Sequence, residues 1–493
     1  MSPLKKTAIA LLILIVILVG VGWYLSRGNA AQYSLEETAG TDPVLAAPES
    51  ELVPTIGINE PVGWGDGEAP QAAEGLTVNR FASGLDHPRV LYTLPNGDVL
   101  VTLTGAPDRE LAGGWLANKI GKWLMSRAGA GEGSPNQLLL LRDEDGDGVA
   151  ETQIVLRDDL SSPSGIAWGD GALYIANHDA VLKFDYALGE DAIAGEGKVI
   201  AELPAGGNHW MRNLLLSEDG TKLYVAVGSA SNIAEDGMAA EKGRAAIHEI
   251  NLADGYPRLF GSGLRNPNGM AWNPWTGEIW TVVNERDMLG SDLVPDYLTN
   301  VPIGVHYGWP WVYYNDVIDE RVKAPMPEFL TEYTRTPQFA LGAHTAPLGL
   351  VFTETGTRLG GFGNGAFVAR HGSWNRKPAS GYDVVFIPFD DRGNPKGKPM
   401  PVLQPFLTGE GTTHGRPTWL AWDKTGGLLV SDDMAGIIWR VIDGRTEPAK
   451  EIKRNEGAPL KPKKQLKGDP RRAFDEVPEG FSPGEVLGGM SAN

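Results

Sequence analysis

The sequence predicts an all-β chain: a six-bladed β-propeller with an N-terminal transmembrane helix and a helical insert in the first blade region. Three observations predict it. One turn–strand–turn–strand wording recurs six times, which a radial repeat requires and an irregular β-sandwich rarely shows. Gly at 64 and Pro at 35 of 493 residues supply the turns of β-structure rather than of helical bundles. Near the N-terminus, an apolar run free of charge has about the 20 residues a bilayer requires.

Taken in order, residues 1–6 carry Lys5 and Lys6 and are expected to stay cytoplasmic, because positive charge marks the inner side. Residues 7–25, TAIALLILIVILVGVGWYL, read as a retained anchor ending in the interfacial pair Trp23-Tyr24. The alternative, a cleaved signal peptide, has a shorter apolar region and a small-residue cleavage site. Residues 26–75 are rich in Ala, Pro, Gly and Glu without periodicity and read as a flexible acidic tether. Residues 76–445 form the working domain, and residues 446–493 a charged, Pro-interrupted mobile tail.

Within the domain the copies begin at Gly84 (GLDHPRVLYTLPNGDVLVTLT), Leu160 (LSSPSGIAWGDGALYIANH), His209 (HWMRNLLLSEDGTKLYVAVGS) and Gly263 (GLRNPNGMAWNPWTGEIWTVVNE). Two more begin at Thr345 (TAPLGLVFT, continuing to GAFVARHG) and Gly415 (GRPTWLAWDKTGGLLVSDD). Each places polar residues just before its first strand, so a propeller would collect them at one mouth of its channel. The insert Arg109–Arg127, RELAGGWLANKIGKWLMSR, repeats its apolar residues at spacings near three and four. It reads either as a helix packed on the domain rim or as an interfacial helix with Trp toward lipid.

Composition excludes several functions. A net charge of −19 leaves no phosphate-neutralising surface and argues against a nucleic-acid partner. With no Cys, the chain has no disulfide, thiolate metal site or covalently attached c-type haem.

Candidate chemistry gathers before the strands. His209 opens the third copy and is followed by Arg212; there a neutral imidazole can take a proton near physiological pH, or serve only as a hydrogen-bonded surface residue. The stretch Gly263 to Trp311 packs a Gly-rich turn, an apolar strand, the cluster Asn284-Glu285-Arg286-Asp287 and a Tyr-Gly-Trp-Pro loop into one unit. Asp143, Asp145 and Asp147 have the D-x-D-x-D-G spacing of a calcium turn. Ile154 stands where an EF-hand has its bidentate Glu, so the choice is a structural calcium turn or an acidic hairpin without an ion.

In its wording the Gly263–Trp311 unit resembles the cofactor-bearing blade of the quinoprotein sugar dehydrogenases, which use pyrroloquinoline quinone (PQQ) and calcium. Ala346-Pro-Leu-Gly349, Gly381-Tyr382 and Ser431-Asp-Asp433 add a likeness to the sorbosone dehydrogenase branch. The resemblance covers most of residues 76–443. It implies His209 as catalytic base, with Asn208 beside it toward substrate, and Arg265 with Asn266 on the quinone. It further implies Asn284, Glu285, Arg286 and Asp287 as the calcium loop, partly through backbone carbonyls. Arg370, His371, Arg376 and Arg416 would supply cations for the carboxylates of PQQ; read singly, each arginine fits a solvated face, and Arg265 an ion pair across the domain. The sequence departs from the family at Asn208 and Ser229, where the soluble glucose enzymes have Asp, and at the metal loop, where they have Gln-Gly-Pro.

The N-terminal anchor, with Lys5 and Lys6 inside, predicts an inner-membrane, single-pass protein whose catalytic domain lies in the periplasm, and the resemblance adds the chemistry. It would oxidise a sugar or sugar aldehyde and pass electrons to ubiquinone or a cytochrome. A calcium-dependent lactonase and a non-catalytic sugar-binding propeller are the alternatives on the same fold.

Overall fold

In the computed structural model, residues 28–444 are described except 52, 109–113, 130–132, 358, 360 and 410, together with single positions between 3 and 20. Most of the 7–25 run and all of the 446–493 tail therefore lie outside the described residues. Among the described residues no helix is long and apolar enough to cross a membrane.

The described strands form eight sheets, six of them with four or five strands. Those six start with the strands Pro88–Thr93, Gly165–Gly169, Arg212–Leu216, Asn266–Trp272, Pro347–Phe352 and Pro417–Trp422. Each follows the opening of one sequence copy, and each pairs antiparallel with the next strand along the chain. The six starting strands touch one another in cyclic order, the sixth returning to the first. This is a β-propeller-like arrangement. Every residue of the second strands Val99–Leu103 and Leu428–Asp432 is buried, on both faces, which fits strands packed between neighbouring sheets.

Four starting strands share one local device. The register against the second strand shifts between Pro88 and Leu91, Pro267 and Met270, Pro347 and Leu350, and Pro417 and Leu420. Proline has no N–H for the ladder and belongs at a strand's first residue or a bulge, so it marks where each strand enters the sheet. Glycine lets the starting strands approach. A Cβ at Gly269 would lie 2.5 Å from Leu348 O, and one at Gly165 2.3 Å from Arg212 O. A cavity of about 400 Å³ takes lining residues from all six starting strands.

The ring closes on a strand from before the first sheet. Thr77–Ser83 forms the outer strand of the sixth sheet, paired antiparallel with Ile437–Ile442. Residues 28–75, whose composition reads as a tether, are laid along the sheets instead. Ala39–Gly40 pairs with the fourth sheet, Gln71–Ala72 with the fifth, and Glu60–Pro61 with Thr412–Thr413. Backbone groups of a polar, aperiodic segment still pair when an open sheet edge is offered, and composition does not register that edge. The insert is an α-helix, α1, over Gly114–Arg127.

Candidate active site

His209 sits in the loop leading into the third starting strand, and two buried guanidinium groups shape that loop. Arg212 donates to Pro204 O (2.7 Å), His209 O (2.9 Å) and Met211 O (2.9 Å). Arg244 donates to Pro204 O, Ala205 O and Gly206 O at 2.7–2.9 Å. Burial, followed by the charge of Arg244, lowers Arg212 to about 9. The imidazole Nδ1 lies 2.9 Å from Ser229 O and 3.0 Å from Ser229 Oγ. A carbonyl oxygen only accepts, so Nδ1 carries the proton and Nε2 the lone pair.

Ser229, where the resembling family has Asp, is itself held. Its hydroxyl donates to Ser231 O at 2.7 Å. Behind it the Glu241 carboxylate accepts from Ala230 N (2.6 Å), Ser231 N (3.0 Å) and Ser231 Oγ (2.6 Å). Burial pushes Glu241 above the usual carboxylate range despite these bonds. The Glu241 carboxyl that shapes the loop thus stands behind Ser229, two hydrogen bonds from the imidazole.

Arg265 and Asn266 lie beside this histidine. Gly228 separates them: a Cβ there would fall 2.3 Å from Asn266 Oδ1 and 2.6 Å from His209 Cβ. Arg265 is buried, with Nη2 donating to Asp287 Oδ2 and Asn232 Oδ1, both at 2.9 Å. Burial works against ionisation of Asp287, but Arg265, then His344 and His209, outweigh it and hold its carboxyl below the usual range. Asn266 donates to Asn284 Oδ1 (3.2 Å), and Asn284 donates to Pro347 O (2.7 Å), linking the fourth and fifth starting strands.

The loop 284–287 offers its oxygens to guanidinium groups. Arg265 donates to Asn284 O and Glu285 O, and Arg321 donates to Asp287 O (2.9 Å). Arg286 is fully buried and turned away, donating to Pro310 O (2.7 Å), Val312 O (2.9 Å) and Glu285 Oε2 (3.1 Å). Two permanent positive charges already occupy this loop's acceptors, a setting that does not fit a divalent cation beside them. Oxygen ligands gather better at the turn after Gln137–Arg142, where carboxylate oxygens of Asp143, Asp145, Asp147 and Glu151 lie within 4.8 Å of one another.

Across the mouth a second group converges on Asp433. It accepts from His371 Nε2 (3.0 and 3.1 Å to its two oxygens) and pairs with Arg89. Burial opposes its charge, yet His371, Arg89 and Arg416 hold it far below the usual range. Arg416 lies 5.5 Å over the Tyr382 ring, and Asn59 donates to Tyr382 OH at 3.0 Å. Asp432 accepts from Arg416 N (2.8 Å) and Trp64 Nε1 (3.0 Å), and burial raises it to about 6. Arg89 also lies 5.5 Å over the ring of Trp210, the residue after His209, so the two groups adjoin. The Nε atoms of Arg89 and Arg416 are buried with no hydrogen-bond partner among the described residues. Three cationic or ionisable side chains around one carboxylate, two with unused donors, suit a ligand bearing carboxylates.

The structure therefore brings His209, Arg265, Asn266, Asn284 and Asp287 together, with His371 and Arg416 opposite; Asn208 is exposed beside His209. It does not bring in Arg370, whose guanidinium is bidentate on Asp383 (2.7 and 2.5 Å) and bonded to Leu341 O. Arg376 lies elsewhere too, on Tyr33 O (3.1 Å), Pro378 O (2.8 Å) and Asp292 (3.5 Å). Sequence reasoning missed Arg89, Glu241, Asn59 and Trp64. Arg89 had a signal: in GLDHPRV it follows the strand-opening proline, the place Asn268 holds in GLRNPNG.

A family profile described as TrAA12-like matches residues 132–300 and 328–444, more than half of the chain. The chain belongs to this family. A PQQ-dependent sugar dehydrogenase of Hypocrea jecorina is 24% identical over 422 residues, covering 75% of this TrAA12-like chain and 89% of the relative. A PQQ-dependent pyranose dehydrogenase of Coprinopsis cinerea is 27% identical over 293 residues, 47% of this chain and 39% of that longer protein. In fold, the TrAA12-like chain is similar to the Trichoderma reesei carbohydrate-active enzyme of family AA12. The TM-score is 0.61 at 21% identity, with 76% of this chain and 98% of that one covered. The PQQ domain of the Coprinopsis pyranose dehydrogenase, in its holo form, gives a TM-score of 0.57 at 21% identity, covering 78% and 100%.

Proposed function

We propose that this TrAA12-like chain is a PQQ-dependent oxidoreductase that oxidises a sugar or sugar aldehyde of the aldose or sorbosone type. The observation that carries the proposal is the mouth itself: an oriented imidazole, a fixed guanidinium beside it, and a cationic group with unused donors opposite. Six sheets in cyclic contact support a six-bladed propeller as the frame.

PQQ, when bound, supplies a two-electron acceptor for a hydride. Arg89, Arg416 and His371 would hold its carboxylates, and Arg265 with Asn266 would border it on the other side. His209 takes the substrate hydroxyl proton at Nε2, because Ser229 keeps the other nitrogen protonated. Arg265, fixed in advance by Asp287 and Asn232, favours negative charge developing next to it without reorganisation. Asn208, exposed beside the base, would meet substrate. The carboxylates of Asp143, Asp145, Asp147 and Glu151, gathered on one turn, support a structural calcium there, which would stabilise a hairpin and take part in no chemical step.

Residues 7–25 would anchor the chain in the inner membrane with the domain in the periplasm, and electrons would pass to ubiquinone or a cytochrome. The test is to supply the purified chain with PQQ and calcium and follow dye reduction over a panel of sugars. His209→Ala should lower turnover by about 10²–10⁴ while PQQ stays bound. Absence of PQQ binding would overturn the proposal, and lactone hydrolysis without PQQ would replace it by the lactonase reading.

A further inference from the structure

Helix α1 carries exposed apolar side chains beside basic ones. Trp115 is 75% exposed, Trp123 55% and Ile120 49%, a density of exposed large apolar side chains that a solvated helix does not carry. Over Gly114–Arg127 the helix bears Lys119, Lys122 and Arg127 and no acidic residue, in a chain whose net charge is −19. Two of the cations lie against the rings, Lys119 Nζ 5.4 Å from the Trp115 centroid and the Arg127 guanidinium 5.2 Å from that of Trp123, while Lys122 pairs with Asp108 at the exposed surface. Tryptophan flanked by basic residues is the composition that rests at a lipid headgroup boundary, where ring and charge are both satisfied.

The position of α1 gives this surface a purpose. It lies in the connection from Val99–Leu103 to Gln137–Arg142, on the side where the starting strands begin. Thr104 N donates to His87 O just before the first starting strand (3.1 Å). At the other end Arg127 pairs with Glu60, and a Cβ at Gly129 would meet Met434, the neighbour of Asp433. The helix therefore forms part of the rim of the mouth, next to the Arg89–His371–Asp433 group.

We infer that α1 docks on the surface of a bilayer containing anionic phospholipid and turns the mouth toward the membrane. Its basic charge is complementary to that surface, whereas the acidic remainder of the chain is repelled from it. On the dehydrogenase reading above, docking sets the oxidising site beside lipid-dissolved electron acceptors; the docking itself does not depend on what the mouth oxidises.

Because the chain has no Cys, single cysteines can be labelled cleanly. The full-length chain carrying Ile120→Cys, labelled with an environment-sensitive fluorophore, is mixed with vesicles of phosphatidylcholine and phosphatidylglycerol. The label at 120 should shift to the blue and be quenched by a lipid-confined quencher. A label at Glu218→Cys, in the turn at the far end of a starting strand, should keep its aqueous spectrum. Lys119→Glu with Lys122→Glu should abolish the shift, and raising salt to about 0.5 M should weaken it by screening. A label at 120 that stays aqueous on a chain that co-floats with the vesicles overturns the docking and leaves the anchor standing. A shift that follows protein concentration without vesicles assigns the face to a second copy, and one produced by added polysaccharide assigns it to carbohydrate; either also overturns the proposal. Activity with PQQ is measured separately, so loss of the dehydrogenase reading would show there and not in the label.

Discussion

Position 228 shows how finely single residues set this mouth. Glycine there leaves no atom between His209 Cβ and Asn266 Oδ1, so the base of one sheet and the amide of the next stand side by side. A methyl group must displace one of them. Gly228→Ala is expected to reduce sugar oxidation about 10²-fold with little change in thermal midpoint, since misplacement of about 1 Å costs that much. Unchanged turnover would show that this spacing does not matter. The same scale explains the departure at Ser229. A serine hydroxyl and carbonyl orient the imidazole as an aspartate would, and the carboxyl group is moved back to Glu241. Residue spacing could not reveal this, because Glu241 arrives from a loop whose course depends on buried hydrogen bonds.

At the level of elements, the closing strand Thr77–Ser83 matters most. It joins residues more than 350 positions apart in sequence and is the only covalent continuation from the N-terminal segment into the ring. Phe81, 2% exposed, seats it in the core shared by the first and sixth sheets. Phe81→Ala is expected to cost about 3–5 kcal/mol, read as a fall in urea midpoint, the range for a large aromatic removed from a core. A loss below about 1 kcal/mol would mean that the ring holds without its closure. The starting strands were legible from their turn wording, down to the prolines that coincide with register shifts. The segment before Thr77 was not, because its strands are only two residues long and exist by pairing with distant edges.

For the whole molecule, buried ionisable groups make stability depend on pH in two directions. Burial raises Asp296 to about 7, only partly offset by donors from Glu285 N and Ala346 N and by His344, while Asp287 adds to the rise. A carboxyl raised in the folded state contributes stability that is fully present below about pH 4 and is lost as pH climbs through 7, at about 1.4 kcal/mol per unit. His344, raised by Asp287 and Asp296 against its burial, acts with the same sign. His248 and His306, lowered by burial to about 4, act oppositely: their contribution is present above about 6.5 and is lost as pH falls toward 4. Asp296→Asn mimics the protonated carboxyl. The urea midpoint of the unsubstituted chain, relative to this variant, should therefore decline between pH 5 and pH 8. Parallel pH profiles for the two proteins would sink the assignment.

By itself the sequence determined the all-β, propeller-like class and the sites at which the starting strands begin, and it singled out His209, Arg265 and Asn266, which the structure brings side by side. Short apolar strands and Gly–Pro turns are local signals, and local signals survive in a linear string. Only the tertiary structure decided which cations share a carboxylate. Arg370 and Arg376 were as plausible as Arg416 in the sequence, but pairing places Arg370 opposite Asp383, and Arg376 meets Tyr33 and Asp292. Arg89, marked in sequence only by its place after a strand-opening proline, lands on Asp433 from 344 residues away. A charged side chain entering a buried site takes the partner that the fold delivers, because an unpaired charge there is too costly to persist, and sheet closure rather than sequence spacing sets that partner.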